Sequence, residues 1–80
     1  MERMEGIATD MVRSVMAEEG VTQAELAKRM GYRSQSGLSE RLGSRGVSVD
    51  KVVSMFEKMG YEIIVRKADG TGEKEWKITG

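Results

Sequence analysis

Glycine divides the first 60 residues into four short segments, and this spacing limits what the chain can fold into. Gly20, Gly31, Gly43 and Gly60 each follow a stretch in which apolar residues recur at helical intervals. Glycine commonly ends a helix because it adopts the left-handed backbone conformation found there. In a chain of 80 residues the core is marginal, so every apolar face has to be used. The sequence therefore predicts four short helices packed into one domain.

The longest apolar stripes belong to the first and fourth predicted helices. The first runs from Met4 to Gly20, and the fourth runs from its N-cap Ser48 to Gly60. Met55 lies off the stripe of the fourth helix, which favours a place in a dimer interface. The inner faces are predicted from residues spaced three and four apart, which are Met4, Ile7, Ala8, Met11, Val12, Val15 and Met16 in the first helix and Val49, Val52, Val53, Phe56 and Met59 in the fourth.

Two shorter helices are predicted between these. Thr22 and Glu25 form a capping box, in which the Thr22 hydroxyl accepts from the Glu25 amide and the Glu25 carboxylate accepts from the Thr22 amide. This second helix ends at Gly31, and Ser34 caps a third helix that ends at Leu42. Their inner faces contain few apolar residues, which are Leu26, Ala27 and Met30 in the second helix and Leu38 and Leu42 in the third.

The pattern changes after Gly60. "YEIIVRK" is rich in β-branched and aromatic residues, "ADGTG" supplies turn residues, and "EWKIT" alternates, so residues 61–79 are predicted to form a β-hairpin. A two-stranded hairpin is scarcely stable alone in water, so it has to pack on the helices or pair with another chain. Tyr61 and Trp76 are expected to cover the core or a dimer seam, and the alternative is that they stack on a base. The predicted fold is mainly α with a C-terminal β-hairpin, a single domain with a helical core over 1–60.

Composition excludes several classes of protein. The chain contains neither cysteine nor histidine, so it lacks a disulfide framework, thiolate metal ligands and the usual catalytic bases and nucleophiles. We therefore expect no enzymatic activity, no metal and no cofactor. The N-terminal 20 residues carry charges every few positions, unlike a signal peptide or a membrane span, and a cytoplasmic protein is expected.

Charge is unevenly distributed although the formal net charge is zero. Residues 1–22 contain two basic and five acidic residues, a net charge of −3, whereas residues 23–45 contain five basic and two acidic residues, a net charge of +3. The positive field is thus concentrated on the second and third predicted helices and the loop that follows them, as a nucleic-acid-binding surface requires.

The segment "VTQAELAKRMGYRSQSGLSERL" resembles the helix-turn-helix of lambda-repressor and Cro type DNA-binding regulators. In that family a T/S-Q-x-x-L-A-x-x-M-G segment leads through a turn into a recognition helix that begins Q-S. The likeness covers residues 21 to about 49, and the turn after Gly31 is one residue longer than the common pattern. It implies a four-helix domain in which the second helix supports the third. A hairpin in place of the family's fifth helix is closer to Cro and implies dimerisation through strands.

The third helix is predicted to read bases. Steps of 100° per residue place Leu38 and Leu42 on the core side, so Ser36 and Glu40 point away from it with Gln35 and Ser39 on one flank. Glutamine pairs with adenine, serine is permissive and glutamate accepts from cytosine. A solvated role explains Glu40 equally well, because a carboxylate repels phosphates. Gly37 would allow close approach of DNA to the helix backbone. The residues predicted to contact bases are Gln35, Ser36, Ser39 and Glu40.

A second set of polar and basic residues is predicted to contact phosphates and to position the protein on the duplex. Arg41 has an alternative, an ion pair with glutamates of the first helix, and Gln23 is also an ordinary first residue of a helix. By family resemblance Gln23 would bind a phosphate and brace Gln35, and Arg45 would lie in the loop that touches the DNA backbone or neighbouring bases. The predicted set is Gln23, Lys28, Arg33, Ser34, Arg41 and Arg45.

The predicted function is sequence-specific binding of double-stranded DNA by a homodimer that represses transcription. Two recognition helices would enter successive major grooves of a palindromic operator, with half-sites roughly 34 Å apart. The alternative is an antitoxin-like or adaptor protein whose main role is to bind another protein through its hairpin edge or a methionine-rich surface. Zero net charge and the exposed strand favour this alternative.

Overall fold

A computed structural model describes residues 4–44 and 46–80. It contains four helices followed by a two-stranded antiparallel hairpin, which confirms the mainly α fold with a C-terminal hairpin. Arg45, one of the predicted phosphate contacts, lies outside the described residues. The elements in chain order are α1 (Ala8–Glu19), α2 (Gln23–Arg29), α3 (Gln35–Gly43), α4 (Val49–Glu57), β1 (Ile63–Val65) and β2 (Trp76–Ile78).

Helix α1 begins four residues later than predicted. Ile7 is its N-cap in an extended conformation, and the predicted start at Met4 is wrong. The Met4 side chain is 66% exposed, so no burial offsets the entropy of ordering an additional helical turn there. The predicted end is confirmed, because Gly20 has a left-handed φ of 67° and its amide donates to the last turn of the helix.

The core lies between the four helices. Helix α2 packs on α3, and α1 packs on both α4 and α3. A hydrogen bond of 2.9 Å from Arg13 Nη2 to the Leu42 carbonyl ties α1 to the C-terminal turn of α3. Met16 is buried as predicted, and Met30 packs against the core from its edge. The largest fully buried side chains are Leu26, Leu38, Leu42, Met55, Val12 and Val53.

The buried face of α4 differs from the predicted stripe. Met55, predicted to lie in a dimer interface, is fully buried within the chain, whereas Val49 is 65% exposed at the start of the helix. Val52, Val53 and Met59 are buried as predicted. The buried face of α4 therefore lies closer to Met55 than the predicted apolar stripe does. The rest of the domain covers a face of the helix that is wider than one stripe of residues.

The hairpin is short. Each strand has three residues, with Ile63 opposite Ile78, Ile64 opposite Lys77 and Val65 opposite Trp76. Residues 66–75 connect the strands. Ile63 packs against the helical core, but Trp76 is 59% exposed and does not cover it, so the predicted core role of Trp76 is wrong.

Two polar contacts hold the ends of the hairpin to the helices. The Tyr61 hydroxyl donates to Glu19 Oε1 over 2.8 Å, and the Gly80 amide donates to Glu57 Oε1 over 3.3 Å. The hairpin is thus tied to the ends of α1 and α4 by side-chain carboxylates, while Ile64, Val65 and Trp76 stay partly exposed. Within 4–44 and 46–80, each helix is too short or too polar to cross a bilayer.

Candidate nucleic-acid interface

Helix α3 has one buried side and one polar side. Leu38 and Leu42 are almost fully buried, as their spacing predicts. The four residues predicted to contact bases are all exposed on the remaining surface, and they are Gln35, Ser36, Ser39 and Glu40. Since α3 contributes only two large side chains to the core, its polar surface is available for a partner.

The N-terminus of α3 is open. Ser34 occupies the predicted N-cap position, but its side chain makes no capping hydrogen bond to the helix. Its hydroxyl instead lies 2.7 Å from the Ser36 hydroxyl. The first turn of α3 therefore retains backbone N–H groups that the Ser34 side chain does not satisfy, and such groups favour an anion.

Gln23 connects α2 to the polar side of α3. The Ser39 hydroxyl donates to Gln23 Oε1 over 2.6 Å. The side chain that Gln23 braces is therefore Ser39, not Gln35 as the family resemblance implied. Because the carbonyl end of this amide is bound to Ser39, its NH₂ end remains as a donor beside the exposed surface of α3.

The capping box of α2 is half formed. The Glu25 amide donates to the Thr22 hydroxyl over 3.1 Å, as predicted. The Glu25 carboxylate instead accepts from Arg29 Nη2 over 2.7 Å, and Arg29 Nη1 donates to the Lys58 carbonyl over 3.0 Å. Arg29 is thus engaged between α2 and the end of α4, so its charge is partly neutralised and does not add fully to the positive surface.

Among the described cations of the predicted phosphate-binding set, Lys28 and Arg33 are the most accessible to a ligand. Both side chains are exposed. Neither has an ion-pair partner among the described residues, whereas other exposed cations such as Arg13 and Lys77 have one. Lys28 lies near the end of α2 and Arg33 in the turn before α3, so the two charges flank the junction of these helices.

Arg41 is placed differently from the other basic residues. Its side chain is half-buried, Nη1 donates to the Gly37 carbonyl over 2.9 Å, and the guanidinium carbon lies 4.6 Å from the centre of the Tyr32 ring. The alternative partner predicted for it, a glutamate of α1, is not the one found. Sequence reasoning missed Tyr32, because nothing in the local pattern links a turn residue to an arginine nine positions later.

Gly37 lies in α3 beneath this arginine. A Cβ atom added there would lie 3.7 Å from Arg41 Nη1 and 4.0 Å from Tyr32 Cγ, which is ordinary van der Waals contact. The chain fold therefore tolerates alanine at this position, and glycine is not required by packing.

An apolar groove of about 410 Å³ lies elsewhere on the molecule, and none of the described residues predicted to contact DNA lines it. Its apolar walls include Ile7, Val47, Val49, Val52 and Ile63. Within the described part of the chain, no group of three or more acidic side chains could hold a metal ion.

Comparison with family models, curated proteins and solved structures finds no significant match to the chain.

Proposed function

We propose that this chain is a homodimeric, sequence-specific double-stranded DNA-binding protein that represses transcription by occupying a palindromic operator. Helices α2 and α3 would act as a helix-turn-helix of the lambda-repressor and Cro type. The observation that carries the proposal is the two-sided character of α3. Leu38 and Leu42 fix the helix to the core, while every side chain predicted to contact bases is exposed on its other faces.

Base contacts would come from the first turns of α3. Gln35 and Ser36 lie at its N-terminus, the part of a recognition helix that reaches base edges in the major groove. Ser39 would contribute its acceptor electron pairs, because its proton is donated to Gln23. Glu40 lies on the same exposed surface and would accept from cytosine N4.

Phosphate contacts would surround these residues. The NH₂ group of Gln23 and the Lys28 side chain lie on α2, Arg33 lies in the α2–α3 turn, and the open N-terminal turn of α3 follows directly after it. Neither cation has an ion-pair partner among the described residues. Donors and positive charges in this arrangement fix the position of a protein on the duplex without reading its sequence. Arg45, which follows α3 in the sequence and lies outside the described residues, would extend this set.

A homodimer would bury the exposed part of the hairpin. Ile64, Val65 and Trp76 are 37%, 47% and 59% exposed, and two strands of three residues are too few to be stable without further packing. Pairing of two such hairpins would cover these side chains and would relate the two α3 helices by a two-fold axis.

The proposal is tested by measuring the affinity for a DNA site selected from a random pool as a function of salt. We expect affinity to fall steeply from low to physiological salt. Gln35→Ala should relax the base preference at one position of each half-site, whereas Arg33→Ala should weaken all sequences alike and reduce the salt slope by about 1.

Lys74→Ala is the matched control, since Lys74 is an exposed cation of the hairpin connection, away from α2 and α3. It should leave base preference unchanged. An affinity that does not depend on salt would contradict a phosphate-based interface. If Gln35→Ala and Arg33→Ala caused the same uniform loss, the division into base and phosphate contacts would be wrong.

The exposed hairpin also supports a second candidate function, an antitoxin-like or adaptor protein. A different protein that pairs with the edge of one hairpin strand would then cover the same apolar side chains, which are Ile64, Val65 and Trp76. Purification from the native host decides between the two functions. A stoichiometric unlike partner, lost with Trp76→Glu, would favour the second candidate.

A further inference from the structure

The turn between α2 and α3 contains one residue that contacts both helices. The Tyr32 amide donates to the Ala27 carbonyl over 2.9 Å, which fixes the backbone of Tyr32 to the end of α2. Its ring packs against the core and against the Arg41 guanidinium of α3. Only Arg33 and Ser34 separate Tyr32 from the first residue of α3.

Arg41 completes the link from the side of α3. Helical side chains point toward the N-terminus of their helix, so the guanidinium of Arg41 lies one turn back, beside Gly37. There it donates to the Gly37 carbonyl over 2.9 Å and lies over the Tyr32 ring at 4.6 Å. A planar guanidinium suits both contacts at once, stacking on an aromatic face while its edge donates a hydrogen bond.

We propose that Tyr32 and Arg41 form a clamp that sets the path of the turn and so positions Arg33 and the start of α3 for DNA. Arg41 is then a positioning residue, and the phosphate contact that its charge suggests is made by Arg33. The positioning role rests on the proposed DNA-binding function, whereas the clamp itself is a property of the free chain.

Burial and bonding favour this role over a direct phosphate contact. Arg41 is half-buried, whereas Lys28 and Arg33 are exposed. To reach a phosphate, Arg41 would have to give up its bond to Gly37 and uncover the Tyr32 ring. Within the described part of the chain Arg33 makes no such contact, and it lies in the residue pair whose path the clamp controls.

The clamp also accounts for the longer turn. One additional residue between Gly31 and α3 increases the number of paths that the turn can take, and each ordered residue costs conformational entropy. A turn residue fixed at its backbone to α2 and at its ring to α3 reduces the number of those paths.

The clamp is first tested without DNA, by comparing backbone amide signals in two-dimensional NMR spectra. Arg41→Ala should shift the amides of Arg33, Ser34 and Gln35 in the wild type. In the Tyr32→Leu background, where the clamp is already broken, adding Arg41→Ala should shift them little further. Tyr32→Phe keeps the ring and should leave them as in the wild type. Unchanged amides in Arg41→Ala, or shifts that simply add in the double variant, would overturn the proposal.

The positioning role is then tested by a double-mutant cycle for DNA affinity. We expect Arg41→Ala to lower affinity about tenfold in the wild type, the scale of one lost charge-assisted contact, but to have little effect in the Arg33→Ala background. Tyr32→Phe should bind like the wild type. A further reduction of the salt slope by about 1 on adding Arg41→Ala to Arg33→Ala would show a direct phosphate contact and overturn the positioning role.

The two tests separate this proposal from the proposed function. A wild-type chain that binds no DNA would contradict the function, and the amide comparison would still decide whether the clamp exists. If the wild-type chain binds DNA but the affinity losses caused by Arg33→Ala and Arg41→Ala simply add, the proposed function stands and the positioning role is overturned.

Discussion

Gly37 is the residue at which stability and DNA binding are expected to respond in opposite directions. Glycine inside a helix costs up to about 1 kcal/mol relative to alanine, and an added Cβ would meet only ordinary contacts here. Gly37→Ala should therefore raise the free energy of unfolding by up to about 1 kcal/mol, measured by urea denaturation.

The same substitution should weaken DNA binding if the backbone of α3 approaches the duplex at this position. Ser14→Ala, at an exposed position of α1 outside the residues proposed to contact DNA, is the control and should leave the affinity unchanged. Gly37→Ala with higher stability and unchanged affinity would show that glycine is not needed for DNA approach.

Tyr61 is expected to make stability depend on pH in the alkaline range. Its hydrogen bond to Glu19, followed by desolvation and the charges of Glu19 and Glu18, raises the pKa of its hydroxyl above the ordinary value of 10.0. Because the pKa is raised in the folded chain, the contribution of the Tyr61 hydroxyl to folding stability is fully present below the unfolded pKa of about 10. This contribution is lost as pH rises through the folded pKa.

Tyr61→Phe removes this contribution and is the variant to compare. The difference in unfolding free energy between wild type and Tyr61→Phe should stay constant up to about pH 9 and diminish above it. Urea denaturation across this range measures the difference. A difference in unfolding free energy that grows with rising pH would contradict the role assigned to the Glu19 contact.

At the scale of elements, the N-caps of α3 and α4 are expected to differ although the sequence predicts serine caps for both. The Ser48 hydroxyl accepts from the Lys51 amide over 3.3 Å, whereas the Ser34 side chain makes no capping bond. Ser48→Ala should lower the free energy of unfolding by about 1 kcal/mol, and Ser34→Ala should change it little. Equal losses in urea denaturation would contradict the structural difference between these two helix ends.

Sequence patterns located the helices better than their buried faces. Gly20 and the caps Thr22 and Ser48 marked helix ends correctly, because capping depends on residues adjacent in the chain. The buried side of α4 was displaced toward Met55, because burial depends on which neighbouring helices cover it. The exposed face of α3 was predicted well, since it has only Leu38 and Leu42 to bury.

At the scale of the whole molecule, the uncovered hairpin makes a testable prediction about assembly. Trp76 is the only tryptophan and is 59% exposed, so its fluorescence reports directly on coverage of the hairpin. We expect its emission to shift to shorter wavelength as protein concentration rises and dimers form. Sedimentation equilibrium measures the same association independently.

Trp76→Glu should weaken the dimer by about tenfold or more, because buried tryptophans are frequent energetic centres of interfaces. Lys74→Ala, an exposed position in the same hairpin, should leave association unchanged. A monomer at all concentrations, with tryptophan emission that does not shift, would contradict the homodimer.

The sequence by itself determined the elements of this protein and the polar surface of α3. Helical spacing, glycine ends and capping residues act over a few neighbouring positions, so they predict the order of four helices and a hairpin and the exposure of Gln35 and Ser36. Only the tertiary structure decided which side chains of α2, α3 and the turn between them meet, such as Ser39 with Gln23 and Arg41 with Tyr32. These contacts depend on how α2 and α3 cross, and no local spacing encodes that geometry.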